Sequence, residues 1–150
     1  MTAPAKSIRQ KIVDAVDTRL KTILTASNYA TDLGKSVKWW LSRLDTAALP
    51  AIVCRDRLAP PENNIRWRRK LIIEMEIFLS QTSTPDEEMR KALADIETCI
   101  GTDVTFGGLA DDTELFESEK MTMDDWDSVI VASGFYIAIE FETEPWNPRT

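Results

Sequence analysis

The stretch IRWRRKLIIEMEIFLS, residues 65–80, decides the fold of this chain. From Leu71 to Leu79 every second residue is apolar, and a period of two places these side chains on one face of a β-strand. The stretch has 16 residues, whereas an average strand has roughly 5–6. Such a long strand needs partner strands at its edges and helices on its apolar face, and the rest of the chain contains candidates for both.

Three other segments have the character of strands. Val129–Thr143 is apolar and alternates from Phe135 onward, so it is predicted to pair antiparallel with the opening strand, and Gly134 is expected to allow a bulge within it. Ala51–Arg57 is rich in small and β-branched residues and precedes the turn-forming sequence LAPPENN, which favours a second antiparallel pair. Leu115–Met123 carries many charges and is predicted to be an exposed strand.

Two amphipathic helices are predicted to cover the apolar face of the sheet. Lys6–Leu24 has an apolar stripe at helical spacing and charged residues on the opposite side. The second helix is predicted to begin at Thr84 and Pro85, because threonine can cap a helix and proline suits its first position. It is predicted to end at Gly101.

The order of these elements predicts a single α+β domain over residues 1–150. The sheet is expected to be mainly antiparallel, with four strands or slightly more and two helices on one face, and residues 144–150 to form a short extended C-terminal tail. The sequence VKWWLSRL, from residue 37, is ambiguous between a strand and a short helix. Because Trp39 and Trp40 cannot both face one core from a strand, one of them is expected to meet a neighbouring segment or subunit.

The composition excludes several classes of enzyme. The chain has no histidine, which removes Ser-His-Asp and Cys-His catalysis and most zinc sites. Cys54 and Cys99 are predicted to be buried free thiols in a reducing compartment. The sequence shows neither a secretory signal nor an apolar run long enough to span a membrane. Any enzyme of this composition would have to rely on carboxylates, lysine or tyrosine, and Glu74, Glu76 and Glu140 alternate with apolar residues in the manner of a solvent-facing strand. We therefore expect a soluble protein that is not an enzyme and has no cofactor, metal or small-molecule substrate.

Two local patterns suggest chemistry but lack residues that it needs. Gly34-Lys35-Ser36 is like the end of a phosphate-binding loop, but Tyr29 stands where that loop requires a second glycine. The acidic run from Asp111 to Asp127 has no EF-hand spacing, so no metal site is predicted there.

Charge is distributed unevenly along the chain. Residues 1–75 hold 14 Lys and Arg against 7 Asp and Glu, a net charge of +7, whereas residues 76–150 hold 4 against 18, a net charge of -14. Opposite charges on one subunit suit head-to-tail association; the alternative is that the two sets intermix in space and solvate the surface. The expected interface residues are a basic cluster of Arg66, Arg68, Arg69 and Lys70, and an acidic stretch of Glu114, Glu117, Glu119, Asp124 and Asp125.

Several consecutive segments carry a resemblance to a known family. They are IRQKIVDAVDTRLKTIL, then LPAIVCRD, then RRKLIIEMEIFLS running directly into TPDEEMRKALADIETCIG, and the closing GFYIAIEFETEPWNP. In this order and texture the chain resembles the tail terminator and minor tail protein U-like family of long-tailed bacteriophages. The resemblance spans most of the chain, but the Trp39-Trp40 segment and the run from Asp111 to Asp127 are not matched.

The resemblance implies a structural protein of a phage or prophage tail. It implies a subunit of a hexameric ring that ends growth of the tail tube and joins the tail to the head. The implied partners are other copies of the chain, the tail-tube protein and the head-completion protein, with DNA passing through the ring and no membrane contact. Assembly would take place in the bacterial host cytoplasm, and the protein would then belong to the virion tail. The alternative is an acidic protein-binding inhibitor such as a DNA mimic, which the net charge of -7 favours.

Overall fold

The structure is a computed structural model that describes residues 2–41, 43–60, 67–80, 83–124 and 130–150. For residues 46, 117–124, 130 and 131 it describes the backbone alone. None of the helices in these ranges is long and apolar enough to cross a membrane. The helices and strands form an α+β fold, as predicted, in the order α1 (Ile8–Leu20), β1 (Val37–Trp39), β2 (Ala51–Leu58), β3 (Trp67–Ser80), α2 (Pro85–Gly101), β4 (Asp112–Asp124) and β5 (Ile130–Thr143).

β3 is the central strand of the sheet, whose order is β1-β2-β3-β5-β4. It pairs antiparallel with β2 and with β5, as predicted; Cys54 lies opposite Met75 and Ile139 opposite Leu71. Every second residue from Leu71 onward is buried, which confirms the predicted core face. Residues 65 and 66, the predicted start of the strand, lie outside the described residues.

The core lies between this face of the sheet and the two helices. α1 contributes Ile12, Val16 and Leu20, and α2 contributes Met89 and Ile96, to one continuous apolar cluster with β2, β3 and β5. Burial of each such side chain is worth about 1.5–3 kcal/mol relative to exposure. The predicted covering of one face by two amphipathic helices is therefore what stabilises the fold.

α1 ends at Leu20 rather than at the predicted Leu24, because the chain folds back over the end of the helix. The Gly34 N–H donates to the Ile23 carbonyl at 2.8 Å. A β-carbon on residue 34 would lie 2.6 Å from the carbonyl oxygen of Lys21 and 2.8 Å from those of Leu20 and Ile23. The glycine of the phosphate-loop-like sequence is thus required by close approach of two backbone segments.

α2 begins at Pro85, as predicted, although the Thr84 side chain makes no capping hydrogen bond. Asp95 interrupts the buried face of this helix. Its carboxylate accepts the N–H of Ala30 at 3.1 Å, and the N–H and hydroxyl of Thr31 at 2.8 and 2.6 Å. These hydrogen bonds fix the loop that precedes β1 against α2.

The edge strands refine the prediction. β1 shows that the ambiguous segment VKWWLSRL begins with a short strand, Val37–Trp39, parallel to β2. β4 pairs antiparallel with β5, with register shifts between Leu115 and Glu117 and between Glu117 and Lys120. The bulge predicted within β5 at Gly134 is wrong, since β5 keeps a continuous register with β3 and the irregularity lies in β4. The glycine instead admits the Tyr136 ring, which would lie 2.7 Å from a β-carbon there.

The C-terminal residues 144–150 form a compact turn rather than the predicted extended tail. Glu144 forms an isolated bridge with Asn147, and its N–H donates to the Thr150 carbonyl at 2.8 Å. The Pro148 carbonyl accepts the N–H of Ile8 at 2.8 Å. The end of the chain is therefore tied to the start of α1.

Candidate interaction surfaces

The face of the sheet opposite the helices is covered by the side chains of the strands themselves. Ile72 at its centre is fully buried, although α1 and α2 both pack on the other face. Arg57 beside it pairs with Glu74 at 3.2 Å and places its guanidinium 5.8 Å from the ring centroid of Phe116 in β4. Ala138, opposite Ile72 in β5, is small enough to leave room for this contact. The aliphatic parts of charged residues thus close this second face.

The described residues of the basic cluster are divided between the two faces of the sheet. Alternation along β3 places Arg68 and Lys70 on the second face and Arg69 on the face that the helices cover. The Nε of Arg68 donates to Glu142 at 2.9 Å, and this hydrogen bond raises the pKa of the Arg68 guanidinium. Arg66 lies outside the described residues. At the end of β3, Arg68, Arg69 and Lys70 nevertheless all line one cavity of about 390 Å³, whose other lining residues include the acidic Asp111, Glu140 and Glu142.

The acidic stretch belongs to the edge of the sheet. The Nζ of Lys70 lies 3.5 Å from the carboxylate of Glu114 in β4 and 3.7 Å from that of Glu140 in β5. A basic and an acidic residue that were expected to contribute to opposing subunit faces thus form an ion pair within one subunit. The other acidic residues lie in β4 or follow it, and their side chains are outside the described residues: Glu117, Glu119, Asp124 and Asp125.

A cavity of about 520 Å³ opens where β3 extends past the end of β2. The rings of Trp67 and Trp146 meet edge to face with their centroids 4.7 Å apart. The Arg69 guanidinium lies 4.5 Å from the centroid of the Trp67 ring, and Leu58 and Phe141 add apolar surface. None of the described residues that line the cavity is acidic. These five residues define what we call the aromatic pocket.

The C-terminal turn presents Trp146 to solvent. The residue is 87% exposed and its backbone has a φ of 59°, in the left-handed region, which costs a residue other than glycine about 1–3 kcal/mol. The turn is fixed by the hydrogen bond between Pro148 and Ile8 and by the Nε of Arg149, which donates to the Ala5 carbonyl at 2.8 Å. A large exposed aromatic side chain held in a strained conformation is typical of a binding surface.

A second cavity, of about 540 Å³, lies between α1 and β1. Trp39 is half-buried and its indole N–H donates to Asp17 of α1 at 3.0 Å. Trp40 is 62% exposed, and its indole N–H donates to Asp56 at 2.8 Å. Asp56 also pairs with Arg9 at 2.7 Å. One tryptophan packs inward and the other stays at the surface, which fits the expectation that both cannot face one core.

The described part of the chain contains no group of three or more acidic, cysteine or histidine side chains placed to hold a metal ion. Three carboxylates line the cavity beside β1: those of Asp17 and Asp56 accept hydrogen bonds from indole N–H groups, and that of Asp14 pairs with Lys6. This cavity therefore offers a polar surface and not a set of free oxygen ligands.

The edge of β4 beside α2 carries a further exposed apolar surface. Leu115 is 60% exposed, and Val104, which follows α2, is 36% exposed. They line a shallow recess of about 130 Å³ together with Gly101 and Glu97 of α2. Glu97 takes part in none of the ion pairs that α2 makes within the described ranges. Leu115, Val104 and Glu97 define what we call the Leu115 patch.

The aromatic pocket and the Leu115 patch were not predicted from the sequence. A signal for the pocket lies in the strand pairing, because Trp67 is opposite Thr143 in the register of β3 and β5. Trp146 follows Thr143 closely in the chain, so a turn of the chain directly after β5 places Trp146 near Trp67. No comparable signal marks the Leu115 patch, because it depends on how α2 packs beside β4.

No family model matches the chain, and no curated protein matches it. Among 29 solved chains that resemble it, one is 13% identical, aligns over 88% of this chain and 98% of its own length, and superposes with a TM-score of 0.49.

Proposed function

We propose that this protein is a structural subunit of a phage or prophage tail. In this proposal it is one copy of a hexameric ring that ends growth of the tail tube and joins the tail to the head. The observation that carries the proposal is that one subunit has two unlike exposed apolar surfaces, the aromatic pocket and the Leu115 patch. A ring of identical subunits needs two such surfaces, because each head-to-tail contact joins different parts of neighbouring copies.

The assignment to a tail rests on the resemblance of the sequence to tail terminator proteins. The observed order is a helix, a short edge strand, two paired strands, a helix, two paired strands and a closing turn, and apart from the short edge strand it is compatible with that resemblance. The partners in this role are other copies of the chain, the tail-tube protein and the head-completion protein, with DNA passing through the ring.

The alternative, an acidic inhibitor such as a DNA mimic, is less favoured. A mimic of DNA presents carboxylates that are free to meet the basic surface of its target. On the second face, Glu74, Glu114 and Glu142 each pair with an Arg or Lys of the same chain. These pairs neutralise part of the acidic surface that the alternative requires.

Size-exclusion chromatography with light scattering at low and high salt tests self-association. We expect a mass several times the 17.0 kDa of the chain and rings in electron micrographs. Arg68→Glu tests the basic cluster, since this side chain is 78% exposed, and Arg55→Glu on β2, also exposed, is its control. A monomer at every concentration would contradict the ring. Assembly indifferent to salt and to Arg68→Glu would contradict the role of the basic cluster.

Deletion of the gene from an intact phage tests the role in the tail. Loss of a tail terminator should give tubes of uncontrolled length that do not attach to heads, and the gene supplied in trans should restore both. Normal tails on filled heads after deletion would refute the proposal. Neighbouring genes for tube, tape-measure and head-completion proteins would support it independently.

A further inference from the structure

The two exposed apolar surfaces of the subunit are chemically complementary. We propose that the aromatic pocket of one copy receives the Leu115 patch of the next copy, with Leu115 against Trp67 and Trp146, and with Glu97 facing Arg69. The inference rests on the self-association proposed above and names the surfaces that make the contact.

The size of the cavity and the exposure of Leu115 and Trp146 support the apolar half of the contact. A cavity of about 520 Å³ lies within the range of roughly 300–1,000 Å³ in which proteins accommodate bound groups. Leu115 is 60% exposed and Trp146 is 87% exposed in the single subunit, so both would lose contact with water on association. Tryptophan and arginine are the residues most often found at the energetic centres of protein interfaces.

Two charged side chains, Arg69 and Glu97, support the charged half of the contact because neither forms an ion pair within its own strand or helix in the described part of the chain. The Arg69 guanidinium contacts the Trp67 ring but takes part in none of the ion pairs of β3 within the described ranges. Glu97 likewise has no cationic partner in α2. Opposite charges beside complementary apolar groups set the orientation in which two subunits meet.

The geometry of the two surfaces makes the contact head to tail. The aromatic pocket is formed by β2, β3, β5 and the C-terminal turn, whereas the Leu115 patch is formed by α2 and β4. A contact between unlike surfaces leaves one of each kind free on a dimer, so further copies add until the ring closes.

Cysteine cross-linking tests the contact directly. Cys54 and Cys99 are buried, and burial raises the pKa of the Cys54 thiol, so introduced surface cysteines react first with a short bismaleimide. Thr143→Cys marks the pocket wall, and Gly101→Cys marks the recess, where a new β-carbon meets nothing within 4 Å. A mixture of the two variants should yield a cross-linked dimer, and neither variant alone should. Lys38→Cys, exposed on β1, replaces Thr143→Cys in a control mixture that should remain monomeric on a denaturing gel.

A charge exchange tests the ion pair. Arg69→Glu and Glu97→Arg should each raise the dissociation constant for self-association by about tenfold or more, because each places like charges together. The double variant restores an opposite pair and should return to within about threefold of the wild type. Trp146→Ala and Leu115→Ser should weaken association by at least about tenfold with no rescue in combination.

The outcomes separate this contact from the ring itself. A wild-type chain that is monomeric at every concentration overturns both proposals. A wild type that assembles, with no cross-link between residues 143 and 101 and a double variant as weak as the single ones, overturns this contact and leaves the ring. Loss of tail assembly by Trp146→Ala with unchanged self-association would show that another protein occupies the pocket, which also overturns the contact.

Discussion

Replacing Asp95 with asparagine is expected to lower the free energy of unfolding by about 2–4 kcal/mol. The buried carboxylate accepts three hydrogen bonds, from the N–H of Ala30 and from the N–H and hydroxyl of Thr31. Asparagine has the same shape but only one acceptor oxygen, so in either orientation its NH₂ group faces at least one of these donors. A buried donor left unsatisfied costs about 1–3 kcal/mol, and the remaining bonds lose the acceptor charge that roughly doubles their strength.

Urea unfolding followed by tryptophan fluorescence measures this change. The midpoint should fall with an unchanged m-value, and the amides of Ala30 and Thr31 should lose hydrogen-exchange protection before the rest of the core. Asp111→Asn makes the same substitution at an exposed site and should stay within about 0.5 kcal/mol of the wild type. A difference that small for Asp95→Asn would refute the reasoning, since the loop before β1 would then not depend on this carboxylate.

Three further predictions concern stability. Gly34→Ala should destabilise the protein by more than about 2 kcal/mol because the new β-carbon would lie 2.6 Å from a carbonyl oxygen. Gly101→Ala, at an open helical position, should instead stabilise the protein by about 0.5–1 kcal/mol. Equal effects of the two substitutions in urea unfolding would contradict this contrast. A hydrogen bond from the Thr105 hydroxyl lowers the pKa of Asp103. The ionised Asp103 therefore stabilises the folded protein above about pH 4, and this stabilisation is lost as the pH falls through the lowered pKa. Asp103→Asn should therefore flatten the acid limb of a melting-temperature profile, and a curve parallel to that of the wild type would refute the assignment. The Oγ of Ser133 is buried with no hydrogen-bond partner in the described structure, so Ser133→Ala should be neutral or stabilising, and a loss above about 1 kcal/mol would contradict it.

The α+β class and the central strand could be predicted because their signals are local. Alternation from Leu71 to Leu79 depends on neighbouring positions of one strand, and the apolar stripe of α1 depends on positions within one helix. Pro85 marks the start of α2 for an equally local reason, since proline fits the first turn of a helix. These signals persist whatever the elements pack against, and the observed elements follow them.

The contacts of the basic cluster could be predicted only in part from neighbouring residues. Arg68 and Arg69 are adjacent in sequence, yet a strand sends them to opposite faces. The alternation of side chains along a strand already predicts this separation. It does not predict the pairing of Lys70 with Glu114, because that pair depends on β4 lying beside β5 with a shifted register.

The sequence by itself thus determined which segments are helices and strands, apart from the ambiguous segment that contains β1, and which of their faces are apolar. The tertiary structure alone decided the candidate surfaces. The aromatic pocket joins Leu58, Trp67 and Trp146 from three separate segments, and Leu115 becomes a patch only because α2 ends beside the edge of β4. Asp95 finds its partners in a loop far earlier in the chain. Periodicity reports on residues within one element, whereas a site is made by contacts between elements, and those contacts form only when burial of the apolar faces brings distant segments together.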